Sequence, residues 1–280
     1  MTPDKKRFLE KTAQQIRITG LKMVEKAHSG HIGGAFSMSE LMSVLYFDKM
    51  NIRPEEPDWA DRDRFVLSKG HCTVALYPTL ALRGFFDVSL LDTFRKVDGH
   101  LSGHAEMRHV PGVDMSTGSL GQGFSVAVGM AQGAKTAGKD LTVYAILGDG
   151  EVQERQIWEA SMYAGARGLD NLIAIVDSNK VQLDGTVKEV LDTGDLQAKW
   201  ESFGFFVQSI DGHSVEAISD AIDRAKAEKG RPAMILANTV KGKGISFMEG
   251  KSEWHGKTPN AEQFRAAFDE LYARAAELEG

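Results

Sequence analysis

Apolar positions along the chain recur with two periods. Over Asp4 to about His28, the residues Phe8, Leu9, Ile16, Leu21 and Val24 fall at mixed three and four spacings, which predicts an amphipathic helix packed on a larger core. A second helix is predicted over "SMSELMSVLYFDKM", where Ser37 precedes Glu40 by three residues. In that capping-box spacing each side chain satisfies an otherwise unpaired backbone N–H. An acidic, proline-containing link, "RPEEPDWADRD", leads to a short strand, "RFVLS", and to a helix, "TVALYPTLALRG", that stops at Gly84. From residue 118 the alternation is regular. A small-residue helix "GQGFSVAVGMAQGAKTAG" precedes the apolar run "LTVYAIL", and "EVQERQIWEASMYAGARG" precedes "NLIAIVDSN". "DLQAKWESFG", "FFVQSI", "SVEAISDAIDRAKAEKG", "AMILANTV" and a final helix near "NAEQFRAAFDELYARAAELE" complete the series. Strands alternating with helices predict an α/β, doubly wound, mostly parallel sheet with helices on both faces. Residues 1–280 are read as one domain, with an N-terminal helical segment over about 1–60 packed on it. Two irregular stretches, about Lys96 to Gly118 and Thr239 to Pro259, are rich in Gly and His, and loops of that length inside a domain are usually functional.

Composition narrows the function classes. A hydrophobic content of 42% over 280 residues is enough for a sizeable core, and the formal net charge of −6, with Lys and Arg dispersed, offers no basic field for nucleic acid. No run reaches the roughly 18 apolar residues of a membrane span. Cys72 is the single cysteine and the N-terminus is charged where a signal peptide would be apolar, so a cytoplasmic setting is expected.

Candidate chemistry concentrates beyond the predicted strands. "GDGEVQERQIWEA" follows one apolar run and "DSNK" ends another, and ligands of open α/β sheets bind beyond the carboxyl ends of strands. Asp149, the amide oxygen of Asn179 and a backbone carbonyl near Val181 would make a hard-oxygen set suited to Mg²⁺ with a diphosphate. A helix starting near Glu151 would add its N-terminal N–H groups. By spacing alone, a plain Asp-Gly turn with a satisfied loop asparagine fits equally well. Neither "GSLGQG" nor "LGDGEVQE" has the dinucleotide spacing after a strand, and no Walker loop is present. Gly121, Gly123 and Gly129 read as permitting close helix packing. His31, His71, His104 and His255 each sit in a glycine-containing context, "SGHIGG", "KGHC", "SGHAE" and "EWHGK". His100, His104 and His109 raise a zinc site as a weaker alternative, without cysteine support. His28, His109 and His213 have no such context.

Taken together, "KAHSGHIGG", "LSKGHCTVALY", "GHLSGHAE…PGVDMSTGSLGQG", "LGDGEVQERQIWEA", "NLIAIVDSNKVQLDG" and "VKGKGISF…EWHG" resemble, in order, the N-terminal diphosphate-binding domain of transketolases over about residues 20 to 260. The resemblance implies thiamine diphosphate with Mg²⁺, for which Ca²⁺ or Mn²⁺ would substitute, and transfer of a two-carbon ketol unit from a ketose phosphate to an aldose phosphate. It implies Asp149, Asn179 and the Val181 carbonyl as metal ligands and Gly150 near the diphosphate. His71 and His255 would lie beside the cofactor and its reactive carbon, His31 and His104 on sugar hydroxyls, and Gly118 and Leu120 on the aminopyrimidine ring. Glu154 is counted among the cofactor-binding positions, with contacts across a subunit interface. Arg155, Ile32 and Ala105 depart from the family pattern of Gly after "QE" and Pro after "SGH" and "GH". Full-length transketolases are more than twice as long and carry, in their middle domain, the glutamate that protonates the pyrimidine ring. No region here takes that role, so the resemblance implies one half of a split enzyme, in a heterotetramer of two plus two chains with a pyrimidine-domain subunit. The other readings are a noncatalytic regulatory subunit of the same fold, or a subunit of the 2-oxo acid dehydrogenase or deoxyxylulose phosphate synthase type.

Overall fold

A computed structural model describes residues 1–279; Gly280, the last residue of the range read as one domain, lies outside the described residues. Helix α1 runs Pro3–Ala27: proline occupies its first turn, Thr2 accepts from the backbone of Lys5, and His28 closes it in a left-handed conformation (φ 49°). Leu9, Ile16, Leu21 and Val24 are buried as the periodicity predicts, whereas Phe8 is 49% exposed and packs edge-on with Phe47. Helices α2 (Gly33–Phe36) and α3 (Ser39–Val44) follow, α3 running into a π turn, Leu45–Lys49.

The capping box at Ser37 does not form. Met38 is the N-cap of α3. Ser37 Oγ instead donates to Asp177 Oδ2 at 2.5 Å and Glu40 pairs with Arg17 at 2.6 Å, because both side chains are drawn into the interior by charged partners that local spacing does not reveal.

β1 (Arg64–Leu67) leads to α4 (Thr73–Arg83), which stops at Gly84 with φ 96°. The chain continues through α5 (Gln122–Thr136), β2 (Val143–Gly148), α6 (Arg155–Ala166), β3 (Leu172–Ser178), α7 (Val187–Leu191), α8 (Leu196–Ser202), β4 (Phe206–Asp211), α9 (Val215–Ala227), β5 (Ala233–Asn238) and α10 (Ala261–Glu279). The five strands are all parallel, in the order β1-β2-β3-β5-β4. The chain steps outward from β1 to β3, passes to the edge at β4 and returns to β5. Right-handed crossovers in opposite directions place helices on opposite faces.

Alternate residues of each strand therefore enter two cores. Tyr144, Ile146, Ile173, Ile175 and Ile235 pack with α1, α3, α4, α9 and α10, while Ala145, Leu147, Ala174, Val176 and Met234 pack with α5, α6 and α8. Burial on both faces accounts for the continuous apolar runs that mark these strands. Of the helix-packing glycines, Gly123 fits its role, since a Cβ there would lie 2.6 Å from the Ser68 Cα, and Gly121 is required by φ 85°. Gly129 does not: it is exposed and a Cβ would meet nothing within 4 Å. No described helix is long and apolar enough to cross a membrane.

Candidate functional site

The register of the sheet brings the two aspartate-bearing strand ends together. Gly148 pairs with Asp177, so Asp149 and Asn179 leave adjacent strands at nearly one level. Asp149 is 4% exposed; Oδ1 accepts from the Gly150 N–H at 2.9 Å and Oδ2 from the Lys180 N–H at 2.5 Å. Burial first, then the charge of Asp177, raises its pKa to about 6. Asn179 donates through Nδ2 to Asp177 Oδ2 at 3.1 Å, which fixes its amide and leaves Oδ1 toward the Val181 N–H at 3.1 Å. A buried carboxylate without an ion-pair partner among the described residues, flanked by an amide oxygen and a carbonyl, is a donor set for a hard divalent cation. Histidine and cysteine take no part: the described residues contain no cluster of three His, Cys, Asp or Glu side chains that could hold a metal, including around His100, His104 and His109.

The helix expected near Glu151 begins four residues later. Glu151–Gln153 is a single 3-10 turn and α6 starts at Arg155. The reason is the Glu151 carboxylate, which turns inward and takes the N–H groups of Gly121 and Gly148 at 2.8 and 3.0 Å and the Ser68 hydroxyl at 2.5 Å. It ties the "GSLGQG" and "GDG" loops to the end of β1, so it is consumed in structure.

The histidines come from four separated segments and meet. His71 stacks on His255 with ring centroids 4.9 Å apart, and His31 lies 5.2 Å from His71, 5.6 Å from His255 and 6.1 Å from His104. Burial, then neighbouring charge, holds His31 and His255 at about 4 and His71 well below the usual histidine range, and burial with Arg95 lowers His104. At neutral pH His31, His71 and His255 are uncharged, with both a donor and an acceptor nitrogen. His213, which lacks a glycine context, lies elsewhere: it bridges Glu40 and the Val240 N–H.

Two lysines complete the site, and neither stands out in the sequence. Lys69 is 2% exposed and pairs at 2.5 Å with Asp177, whose carboxylate also accepts from Ser37, Asn179 and Thr239. Burial opposes the charge on Lys69, but Asp177 holds its pKa above the usual value. Lys241, also 2% exposed, donates to the Val181 carbonyl and to His255 Nδ1, both at 3.0 Å. Burial and the nearby Lys69 push it down to about 8. Since an ammonium only donates, His255 must present Nδ1 as acceptor and carry its proton on Nε2. Each lysine sits inside a motif named above, "LSKGHC" and "VKGKG", yet a lysine is by default a solvent residue, and only the tertiary burial shows otherwise.

Both lysines, His71, His255 and the oxygen donors face a cavity of about 260 Å³ lined by Gly34, Lys69, His71, Leu120, Asp149, Gly150, Asn179, Val181, Lys241 and His255, with Glu154 at its exposed rim and with His31 and His104 beside it, outside its lining. A Cβ on Gly34 would fall 3.1 Å from Cys72 Sγ and point toward His71 and Lys69, so the glycine keeps the wall open. Gly118 and His104 lie against each other at the outer side, where a Cβ on Gly118 would be 3.2 Å from the ring. A larger groove of about 600 Å³ opens beyond Asp149, but no histidine lines it, and Lys180 and Lys188 there are balanced by Asp192 and Asp195. Of the departures, Ile32 is buried, Arg155 is exposed at the start of α6, and the Ala105 N–H donates to the Gly70 carbonyl, a bond proline cannot make.

Comparison with known proteins identifies the family. The family model described as "Transketolase, thiamine diphosphate binding domain" matches residues 9–273. The chain is 48% identical to the 6-deoxy-6-sulfo-D-fructose transketolase subunit SqwG of Clostridium sp. (strain MSTE9), covering 96% of this chain and 98% of that one. It is 41% identical to an apulose-4-phosphate transketolase subunit of Phocaeicola vulgatus, covering 97% and 96%. The transketolase structure from Campylobacter jejuni superposes with a TM-score of 0.86 at 33% identity over 100% of this chain but 48% of that chain. The chain thus spans nearly the whole of the subunit relatives and about half of the solved transketolases. It belongs to the transketolase family, as a member that comprises the thiamine diphosphate-binding domain.

Proposed function

We propose that this chain is the diphosphate-binding subunit of a split transketolase, transferring a two-carbon ketol unit between a ketose and an aldose that carry an anionic group. The supporting observation is the convergence, on one cavity, of an oxygen donor set with uncharged histidines and two buried lysines. Asp149, Asn179 and the Val181 carbonyl would hold Mg²⁺, and Lys241 would offer positive charge to the diphosphate. A divalent cation and an ammonium on one carbonyl repel, so metal binding at Val181 calls for Lys241 to turn onto an anion, which a diphosphate supplies. Bound thiamine diphosphate supplies an electron sink for cleaving a carbon–carbon bond beside a carbonyl. The chain's own part is to move protons and exclude water. His255 lines the cavity with its proton on Nε2, and His71, stacked on it and uncharged, can take a proton from a sugar hydroxyl, carrying it as imidazolium until it is returned.

The other half of the site belongs to a partner. Glu151 is occupied in structure and Glu154 is exposed, so the carboxylate that activates the pyrimidine ring is assigned to a pyrimidine-domain subunit, in a heterotetramer of two chains of each kind in the cytoplasm. The test is coexpression with the product of the neighbouring reading frame, followed by calorimetric titration with thiamine diphosphate and Mg²⁺ and ketol-transfer assays on ketose and aldose phosphates and a sulfo-sugar. Activity is expected only from the pair, and Asp149→Ala is expected to abolish metal-dependent cofactor binding. Activity of this chain alone would refute the split-enzyme reading, and cofactor binding in neither state would refute catalysis altogether.

A further inference from the structure

One side chain outside the cavity reaches the histidine cluster beside it. Arg95 adopts a left-handed backbone conformation (φ 55°), unusual for a non-glycine residue, and its N–H is held by the Leu101 carbonyl at 2.8 Å. Two glycines make room for this turn. A Cβ on Gly99 would overlap the Thr93 carbonyl, and one on Gly103 would lie 2.6 Å from the Arg95 guanidinium carbon. The guanidinium, 5.6 Å from the Phe94 ring centroid, spans two residues of the "SGH" motif: Nη1 donates to Ser29 Oγ at 2.9 Å and Nη2 lies 3.2 Å from His31 Nδ1.

A guanidinium has no acceptor and keeps its protons, so the ring nitrogen facing it must accept. We propose that Arg95 is a positioning residue that fixes His31 as the Nε2–H tautomer, with Nδ1 facing the guanidinium and the Nε2 proton presented to the interior of the histidine cluster. On that side a Cβ on Gly256 would lie 3.5 Å from both His31 Cδ2 and Nε2. Arg95 thus does for His31 what Lys241 does for His255: each cation holds Nδ1, which leaves the proton on Nε2 of both rings. A substrate oxygen that reaches either ring at Nε2 then meets an N–H donor rather than a mixture of donor and acceptor. The charge of Arg95 also adds to burial in keeping His31 neutral. The catalytic consequence rests on the transketolase reading; the tautomer does not.

The experiment is long-range ¹H–¹⁵N correlation of the histidine side chains in the full ¹⁵N-labelled chain at neutral pH, with His31 assigned by its loss in His31→Gln. The wild-type chain is expected to show His31 with a protonated Nε2 and a bare Nδ1. Arg95→Met is expected to convert it to a mixture of tautomers, and Arg95→Lys, which retains a cationic donor, to keep the wild-type pattern. A wild-type His31 protonated on Nδ1, or an unchanged His31 in a folded Arg95→Met chain, overturns the proposal. Should Arg95→Met not fold, Arg95→Leu, which likewise removes every donor facing Nδ1, takes its place with the same criteria. With the partner chain present, Arg95→Met is expected to lower kcat for ketol transfer on the order of tenfold to a hundredfold, with partial rescue in Arg95→Lys. An unchanged kcat overturns the catalytic role. Absence of ketol transfer in the wild-type pair refutes the transketolase reading and leaves the tautomer result standing.

Discussion

Lys69 and Asp177 show what a single buried pair does for the site. Asp177 is completely buried and accepts from four side chains, among them the amide that aims Asn179. Lys69→Met strands that carboxylate, and the expected loss of stability is about 3–5 kcal/mol by urea denaturation, with Lys69→Met/Asp177→Asn recovering most of it. A single-variant loss below about 1 kcal/mol would show that the carboxylate finds another partner or a proton. The histidines carry a pH signature. His31 and His255 are lowered to about 4 in the folded chain from an ordinary value of 6.5, so between those values the unfolded chain binds more protons and acid destabilises the fold. Their contribution is present above about pH 6.5 and is lost as pH falls toward 4, while Asp149, raised to about 6, acts in the opposite direction. Comparing thermal unfolding of the wild-type chain with His31→Gln/His255→Gln isolates the histidines: on going from pH 7 to pH 5 the double variant should lose less stability than the wild type. The glycine contexts singled these histidines out as candidates, and the structure brings their rings together. Their neutrality was not legible in the sequence, because it comes from packing four segments together.

At the scale of elements, periodicity and punctuation located the main strands and helices, since strands buried on both faces are uninterrupted apolar runs and helices are capped by local residues. Legibility ended where a local signal had a distant competitor. Ser37 and Glu40 have capping-box spacing but serve Asp177 and Arg17, and Glu151 ties loops rather than starting a helix. Glycines divide in the same manner. In α6, a Cβ on Gly165 would lie 1.7 Å from the Phe203 carbonyl, whereas Gly129 in α5 is exposed to open space. Helix propensity favours alanine at both positions by about 1 kcal/mol. At Gly165 the overlap is with backbone and must outweigh that gain, so Gly165→Ala should destabilise the chain by about 1–3 kcal/mol. Gly129→Ala should stabilise the isolated chain by about 0.5–1 kcal/mol. Chemical denaturation of the two variants checks both signs, and matching signs would show that the close contact at Gly165 relaxes freely.

For the whole molecule, the strand order decides where chemistry is possible. Parallel strands end together, and the neighbouring ends of β2 and β3 put Asp149 beside Asn179, while the opposed cores hold the sheet between them. The cavity opens at that edge, with Glu154 at its rim and Leu183 59% exposed nearby. A cofactor whose second half is to be gripped by another chain should therefore bind the isolated subunit weakly. Adding the partner should tighten thiamine diphosphate binding at least tenfold, about 1.4 kcal/mol, in the same calorimeter. Equal affinity with and without the partner would place the entire binding site within this chain.

The order of residues by itself determined the fold class, the alternation of elements and the identity of Asp149, Asn179 and the four glycine-flanked histidines as candidates, because period and turn chemistry are local properties. Tertiary structure decided whether those candidates meet, which nitrogen of His255 carries its proton, and that Lys69, Lys241 and Arg95 belong with them. Burial, charge pairing and tautomer arise between segments far apart in the chain, and no spacing within one segment encodes them.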